Sequence, residues 1–406
     1  MKNKKLKILF LYPNLNMSTL VPNAISILTA ILKQANFNNI DLFDTTFYKS
    51  EEISKDEDRV KVGQVQPFNF DERNIKLKTT DMYKDFTDKV NKFNPDIIFA
   101  SIVEDTFPIF INFMELIENK KILCLAGGVF PSSAPERVIK LDFVNYVCRG
   151  EGEGALVDLA NALEEGKDTS KIANLWVKKN GKILVKNPIR PALDVNTLPV
   201  QDLSIFEDIT LHRPMMGKIY RMVPVETQRG CPYACRFCNS PEKNEFYEAQ
   251  EAGRFFRKRT MKHLHTELKE IVSSYGIEYV FFITDTFLAM SEKEFDEFCE
   301  MYLEFKLPFF MNTRPETVTV RRAKKLKEVN DKPNADVSTF REYVTARESY
   351  LSMKHTCFLT ENQRQKNPET VERFKRIRYG KHLGKDCCSS SASRFSVSLA
   401  PDILLF

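Results

Sequence analysis

Short apolar runs alternate with helix-period stripes from Leu6 to Leu163, and few architectures accommodate that rhythm. Leu6–Tyr12 is apolar and β-rich, and it ends at Pro13. Ala24, Ile27, Leu28 and Ile31 then fall at i, i+3, i+4 and i+7, which places them on one helix face. Ile40–Phe43, Asp96–Ile102, Ile122–Ala126 and Phe143–Cys148 repeat the strand signal. Tyr83–Phe93, Phe107–Glu118, Val138–Leu141 and the stripe Leu156, Leu159, Ala160, Leu163 repeat the helix signal. Residues 50–80 are polar and aperiodic and read as an excursion. Strands and helices alternating at this spacing predict an α/β domain with a parallel, doubly wound sheet of Rossmann or flavodoxin type.

Trp176–Val185 breaks the rhythm, because Asn180-Gly181 between two β-like runs signals a hairpin. Asn196–Asp202, with Pro199, reads as a linker. A second alternation begins with the strand-like Met222–Thr227. Leu264, Leu268, Ile271, Val272 and Tyr275 mark a helix, followed by strand Glu278–Ile283, helix Glu292–Phe305, strand Pro308–Met311 and helix Val318–Val329. These βα units predict a partial (β/α) barrel, and no convincing fourth unit follows. The expected organisation is residues 1–195, a linker at 196–221, a half-barrel at 222–330 and an atypical tail at 331–406. The tail has the character of a truncated, frame-shifted or lineage-specific segment and is expected to be poorly ordered.

The chain has 406 residues and is 43% hydrophobic, enough for two or three cored domains. Its 60 Lys and Arg nearly balance 55 Asp and Glu, so charge gives no case for nucleic acid as a partner. The runs Arg257-Lys258-Arg259 and Arg321–Lys325 are expected to be solvated faces. Ile8–Tyr12 is too short for a signal peptide, and no stretch approaches the ~18 apolar residues of a membrane span. A cytoplasmic location is expected. Nine cysteines without framework spacing suggest metal or catalysis rather than disulfides.

Three of those cysteines, Cys231, Cys235 and Cys238, form a C-x3-C-x2-C cluster just after a predicted strand. Ligands in such folds sit at the carboxyl ends of strands. A compact thiolate cluster points first to an iron–sulfur centre. Only three cysteines are close, so a distant fourth ligand or one open iron is implied. A structural zinc with His263 or His265 as fourth ligand is an alternative, and three inert buried cysteines another. Cys124, Cys148 and Cys299 read as core residues, while Cys357, Cys387 and Cys388 have no assigned role.

Gly230–Cys238 resembles the signature of the radical S-adenosylmethionine (SAM) enzymes. The resemblance implies a [4Fe–4S] cluster on Cys231, Cys235 and Cys238, with SAM chelated by the fourth iron. Reduction would cleave SAM to methionine and a 5′-deoxyadenosyl radical. The resemblance also implies Phe237 near the adenine, and places Asp285 (Ile-Thr-Asp-Thr-Phe) and Arg314 (Asn-Thr-Arg-Pro-Glu) at strand ends facing the active site. Otherwise Asp285 reads as a helix cap or turn residue and Arg314 as a surface ion pair.

Lys-Ile-Leu-Phe-Leu-Tyr-Pro near the start, Ala-Gly-Gly-Val-Phe-Pro at 126–131 and Cys-Arg-Gly-Glu-Gly-Glu at 148–153, in that order, resemble the cobalamin-binding domain that precedes the radical SAM core in one subgroup. Gly127 and Gly128 would let a bulky ligand approach the backbone. The cobalt-ligating D-x-H-x-x-G motif is absent, and no histidine precedes His212. The resemblance implies cobalamin bound without a histidine ligand, or else a domain that keeps the fold without the cofactor.

The resulting expectation is a radical SAM enzyme performing cobalamin-dependent methyl transfer or rearrangement on an unread small-molecule substrate, with no catalytic residue assigned. Flavodoxin or ferredoxin would be its electron donor. A non-catalytic corrinoid- or metal-binding remnant is the alternative, and an electron-transfer module without SAM chemistry a third reading. The resemblance runs from about residue 5 to about 329.

Overall fold

The computed structural model describes residues 4–16, 21–49, 55–61, 66–235 and 238–329. The expected tail at 331–406 and Phe237 lie outside the described residues. The chain divides into two compact units, one formed by residues 1–55, 74–211 and 247–254, the other by 56–73, 212–246 and 255–406.

In chain order the first elements are β1 (Ile8–Tyr12), α1 (Asn23–Gln34), β2 (Ile40–Asp44), α2 (Lys55–Lys61), α3 (Met82–Phe93), β3 (Ile97–Ser101) and α4 (Phe107–Glu115). Then come β4 (Leu123–Gly127), α5 (Val129–Ser133), α6 (Pro135–Ile139), β5 (Tyr146–Cys148), α7 (Glu153–Glu164), β6 (Leu175–Lys179) and β7 (Lys182–Lys186). The second series runs β8 (His212–Met215), β9 (Lys218–Glu226), β10 (Gln228–Arg229), α8 (Ser240–Ala249), β11 (Arg257–Lys258) and α9 (Met261–Tyr275). It continues with β12 (Tyr279–Ile283), α10 (Glu292–Tyr302), β13 (Phe309–Met311) and α11 (Val320–Val329).

The first unit is built on a sheet of order β2-β1-β3-β4-β5-β6-β7. Strands β1 to β5 pair in parallel, with Ile8 beside Ile40 on one side and Ile97 on the other. The order 2-1-3-4-5 is the flavodoxin-like doubly wound one, whose topological switch lies between β1 and β3. Strands β1 and β3 are apolar along their length because both faces are covered. Leu9, Leu11, Ile98, Ala100, Cys124 and Ala126 pack on one face with Phe86 and Phe113. On alternate positions of the same strands, Phe10 meets Phe99 edge-on at 5.7 Å. Helix α3 starts at Asp81, whose carboxylate accepts from the backbone N–H groups of Tyr83 and Lys84. The predicted hairpin is β6–β7. Asn180 and Gly181 both hold positive φ, as a tight primed turn requires, and β6 extends the sheet antiparallel to β5.

The second unit holds a sheet of order β13-β12-β9-β8. Strands β9, β12 and β13 are the three expected parallel strands, with Val280 paired to Val223 and to Phe309. Strand β8, antiparallel to β9, and the short β10–β11 pair fall where no apolar alternation marks a strand. Phe282, Phe298, Tyr302 and Phe309 form an aromatic core with centroids 5.1–6.2 Å apart. Fully burying each such ring stabilises by roughly 1.5–3 kcal/mol. Helix α10 begins with a capping box between Ser291 and Glu294.

Two expectations about basic runs are corrected. Arg321 and Lys325 do lie outward, paired to Asp296. Arg322 instead is buried and donates to the carbonyls of Leu288 and Met290 in the loop before α10. Arg259 is also buried, paired with buried Glu267. A charge is retained at such depth only when paired.

Candidate active site

The cysteine loop leaves β10 and enters α8. Its entry is fixed by β10 pairing with β11, by Gln228 donating from Nε2 to the Thr286 carbonyl at 2.9 Å, and by Arg229 pairing with Glu226 at 2.9 Å. Gly230 holds φ +83°, and a Cβ there would come within 2.7 Å of the Phe255 ring, so the loop's first position needs glycine. The Cys238 N–H closes a turn on the Cys235 carbonyl at 3.1 Å. Cys231 is buried, Cys235 half-buried and Cys238 exposed.

Each thiol has its own protein neighbour. Cys231 Sγ lies 3.5 Å from Thr286 Oγ1, and its carbonyl accepts from Asn244 at 3.3 Å. Cys235 Sγ accepts from Arg314 Nη1 at 2.7 Å. Cys238 Sγ accepts from the Ser240 N–H at 3.5 Å, and Ser240 Oγ donates to Asp285 Oδ2 at 2.9 Å. Arg314 also pairs with Glu316, and its Cζ lies 4.4 Å from the Tyr233 ring centroid. The structure thus gathers Cys231, Cys235, Cys238, Asp285 and Arg314 around one loop. Asp285 serves the start of α8 rather than capping the helix that follows it, and Arg314 makes both an ion pair and a thiol contact.

Sequence reasoning missed Thr286 and Ser240. It also missed three buried polar atoms at the carboxyl ends of neighbouring strands: Thr227 Oγ1 after β9, Thr284 Oγ1 after β12 and Asn312 Oδ1 after β13. None of the three has a protein hydrogen-bond partner. The signal was present, since a polar residue directly follows each apolar strand. Buried hydroxyl and amide groups left unpaired cost ~1–3 kcal/mol each, which a bound polar ligand would recover.

Three thiolates in one short loop are the donor chemistry that an iron–sulfur cluster takes. Among the described residues no three His, Cys, Asp or Glu side chains converge on one ion-sized point. A mononuclear zinc would need that convergence, whereas a cubane takes each thiolate on a separate iron. His265, a candidate zinc ligand, instead hydrogen-bonds Glu304 at 2.6 Å.

The remaining predicted residues, Gly127 and Gly128, end β4 in the first unit. Gly128 holds φ +107°, and a Cβ would fall 2.7 Å from the Ile102 carbonyl oxygen. The close approach that demands glycine at 128 is with the chain's own backbone after β3. At Gly127 a Cβ would find only ordinary contacts. The same sheet edge has features that suit a large, mostly apolar ligand with polar rim groups. Val103 and Val129, just past β3 and β4, are each 45% exposed. Asn16 Oδ1 and Asp44 Oδ2, past β1 and at the end of β2, are buried and unpartnered. Burial raises the Asp44 carboxyl to about 6, against the opposing hydrogen bonds from Thr46.

Comparison with known proteins bears on both units. Residues 225–381 match the family described as Radical SAM superfamily, and residues 62–160 match the B12 binding domain. The chain joins a B12-binding-type domain to a radical SAM domain. The radical SAM match reaches 381, beyond residue 329 where the motif resemblance ends. An uncharacterized methyltransferase from Pyrococcus horikoshii is 27% identical over 61% of this chain and 52% of the relative. An anaerobic magnesium-protoporphyrin IX monomethyl ester cyclase from Rubrivivax gelatinosus is 22% identical over 62% of this chain and 44% of the relative. The chain spans about half the length of these relatives.

Among solved structures, the cobalamin-dependent SAM radical enzyme OxsB matches with a TM-score of 0.55 at 17% identity, over 85% of this chain and 42% of that one. The radical SAM methyltransferase TsrM from Kitasatospora setae matches with a TM-score of 0.55 at 15% identity, over 80% of this chain and 57% of that one. These establish a shared fold. The cofactor set that goes with the two domains is a [4Fe–4S] cluster, SAM and cobalamin. Among the described residues no helix is long and apolar enough to cross a membrane.

Proposed function

We propose that this chain is a cobalamin-dependent radical SAM enzyme that transfers a methyl group to a small-molecule substrate. The observation that carries this reading is the loop of three separately supported thiols, in a unit whose three parallel strands each end in an unpaired buried polar atom. When bound, the cluster supplies the electron that splits SAM, and cobalamin supplies a methyl carrier.

The chain's own residues do the rest. Cys231, Cys235 and Cys238 would hold three irons of the cluster. Thr286, Arg314 and the Ser240 N–H donate to those sulfurs or lie against them, fixing their direction. Thr227, Thr284 and Asn312 offer hydrogen-bond partners to the polar parts of SAM, and the family resemblance assigns Phe237 to the adenine. Asp285 holds Ser240, and through it the start of α8. In the first unit, the Gly127–Gly128 edge, Val103 and Val129 would meet the corrin without a histidine. A low-potential donor such as flavodoxin or ferredoxin would deliver the electron. The methyltransferase descriptions of one relative and one structural neighbour support methyl transfer over rearrangement.

The test is anaerobic incubation of the reconstituted full chain with SAM, dithionite and cobalamin, followed by chromatography. Formation of 5′-deoxyadenosine, abolished by Cys235→Ala, is expected. A loaded cluster that leaves SAM intact would argue instead for electron transfer alone.

A further inference from the structure

The three thiols do not share the same electrostatic surroundings. Cys231 faces a neutral hydroxyl and Cys238 a backbone N–H, each at 3.5 Å. Cys235 faces a full positive charge, with Arg314 Nη1 at 2.7 Å. That guanidinium is clamped between the Glu316 carboxylate and the Tyr233 ring, 4.4 Å from Cζ. Burial works against its charge, but Glu316 and then Cys235 outweigh burial and hold it above its ordinary range. An arginine fixed on two sides reaches its sulfur without further loss of side-chain freedom.

We propose that Arg314, held by Glu316 and Tyr233, is a positioning residue that raises the reduction potential of the cluster through Cys235. This rests on the function proposed above. In the step concerned, one electron enters from an external low-potential donor, no covalent bond forms or breaks, and the cluster becomes more negative by one charge. A fixed cation donating to a ligand sulfur favours the more negative state. Glu316, beside the same cation, opposes it. The two side chains therefore act with opposite sign.

The experiment is an anaerobic redox titration of the reconstituted full chain, followed by electron paramagnetic resonance with mediator dyes and dithionite. Arg314→Met is expected to make reduction about tenfold less favourable, ~59 mV for one electron. Glu316→Gln is expected to shift the potential upward, and Arg314→Lys to fall between wild type and Arg314→Met. If Arg314→Met assembles no cluster, Glu316→Gln and Arg314→Lys, which keep the cation, decide the matter. Wild-type potentials in the variants that load would overturn the proposal. So would an Arg314→Met protein that keeps its potential and loses only the spectral response to SAM, since Arg314 would then be a SAM contact alone. Failure of the wild type to bind iron would defeat the proposed function itself, whereas a normal cluster with unmoved potentials defeats only this inference.

Discussion

Asp44 shows how much a single side chain can carry. Its Oδ1 accepts from Thr46 while Oδ2 is buried without a partner, and burial raises its pKa to about 6 from the usual 3.8. Between those two values the folded chain holds a proton that the unfolded chain has released. Stability should therefore fall as pH rises from about 4 through about 6, and stay lower above that. The penalty above pH 7 is on the order of 3 kcal/mol. Asp44→Asn should raise the melting temperature at pH 8 and leave it nearly unchanged at pH 4. A variant that melts lower at pH 8 would mean that the carboxylate is stabilising. Nothing in the sequence marks Asp44, because its burial depends on strand order, which brings the ends of β1 and β2 together. The three cysteines were legible by contrast, since their chemistry lies in local spacing.

Elements repeat this lesson. Strands buried on both faces, such as β1 and β3, were visible as apolar runs, and Asn180-Gly181 announced its hairpin. Strands β8, β10 and β11 were not visible, because they are short, polar and made by pairing. The pair β10–β11 nevertheless fixes the entry to the cysteine loop. Behind it, Arg259 joins α9 to β9 through Glu267 and, at 3.8 Å, Glu226. Removing one partner of a buried ion pair strands the other. Glu267→Ala should cost about 3 kcal/mol, read as a lower denaturant midpoint, and Glu267→Gln should cost less because it keeps a hydrogen-bond acceptor. An unshifted midpoint in the alanine variant would show that Glu226 alone supports Arg259.

For the molecule as a whole, the alternation of strands and helices sufficed to predict two α/β regions, and the ordered motifs sufficed to suggest their families. The family match runs past the point where the motif resemblance ends. The hydrophobic period weakens after Val329, while the family match extends to 381. The unpaired atoms of Thr227, Thr284 and Asn312 come together only when β9, β12 and β13 lie side by side, so no reading of spacing could group them.

The central claim is that Cys231, Cys235 and Cys238 hold a cluster with an iron open to SAM. Its most direct test is anaerobic reconstitution with iron and sulfide, then iron counting and electron paramagnetic resonance of the reduced protein with and without SAM. The expected result is about four irons per chain and a cubane signal that changes when SAM is added. A chain that binds no iron, or a cubane signal indifferent to SAM, would contradict it.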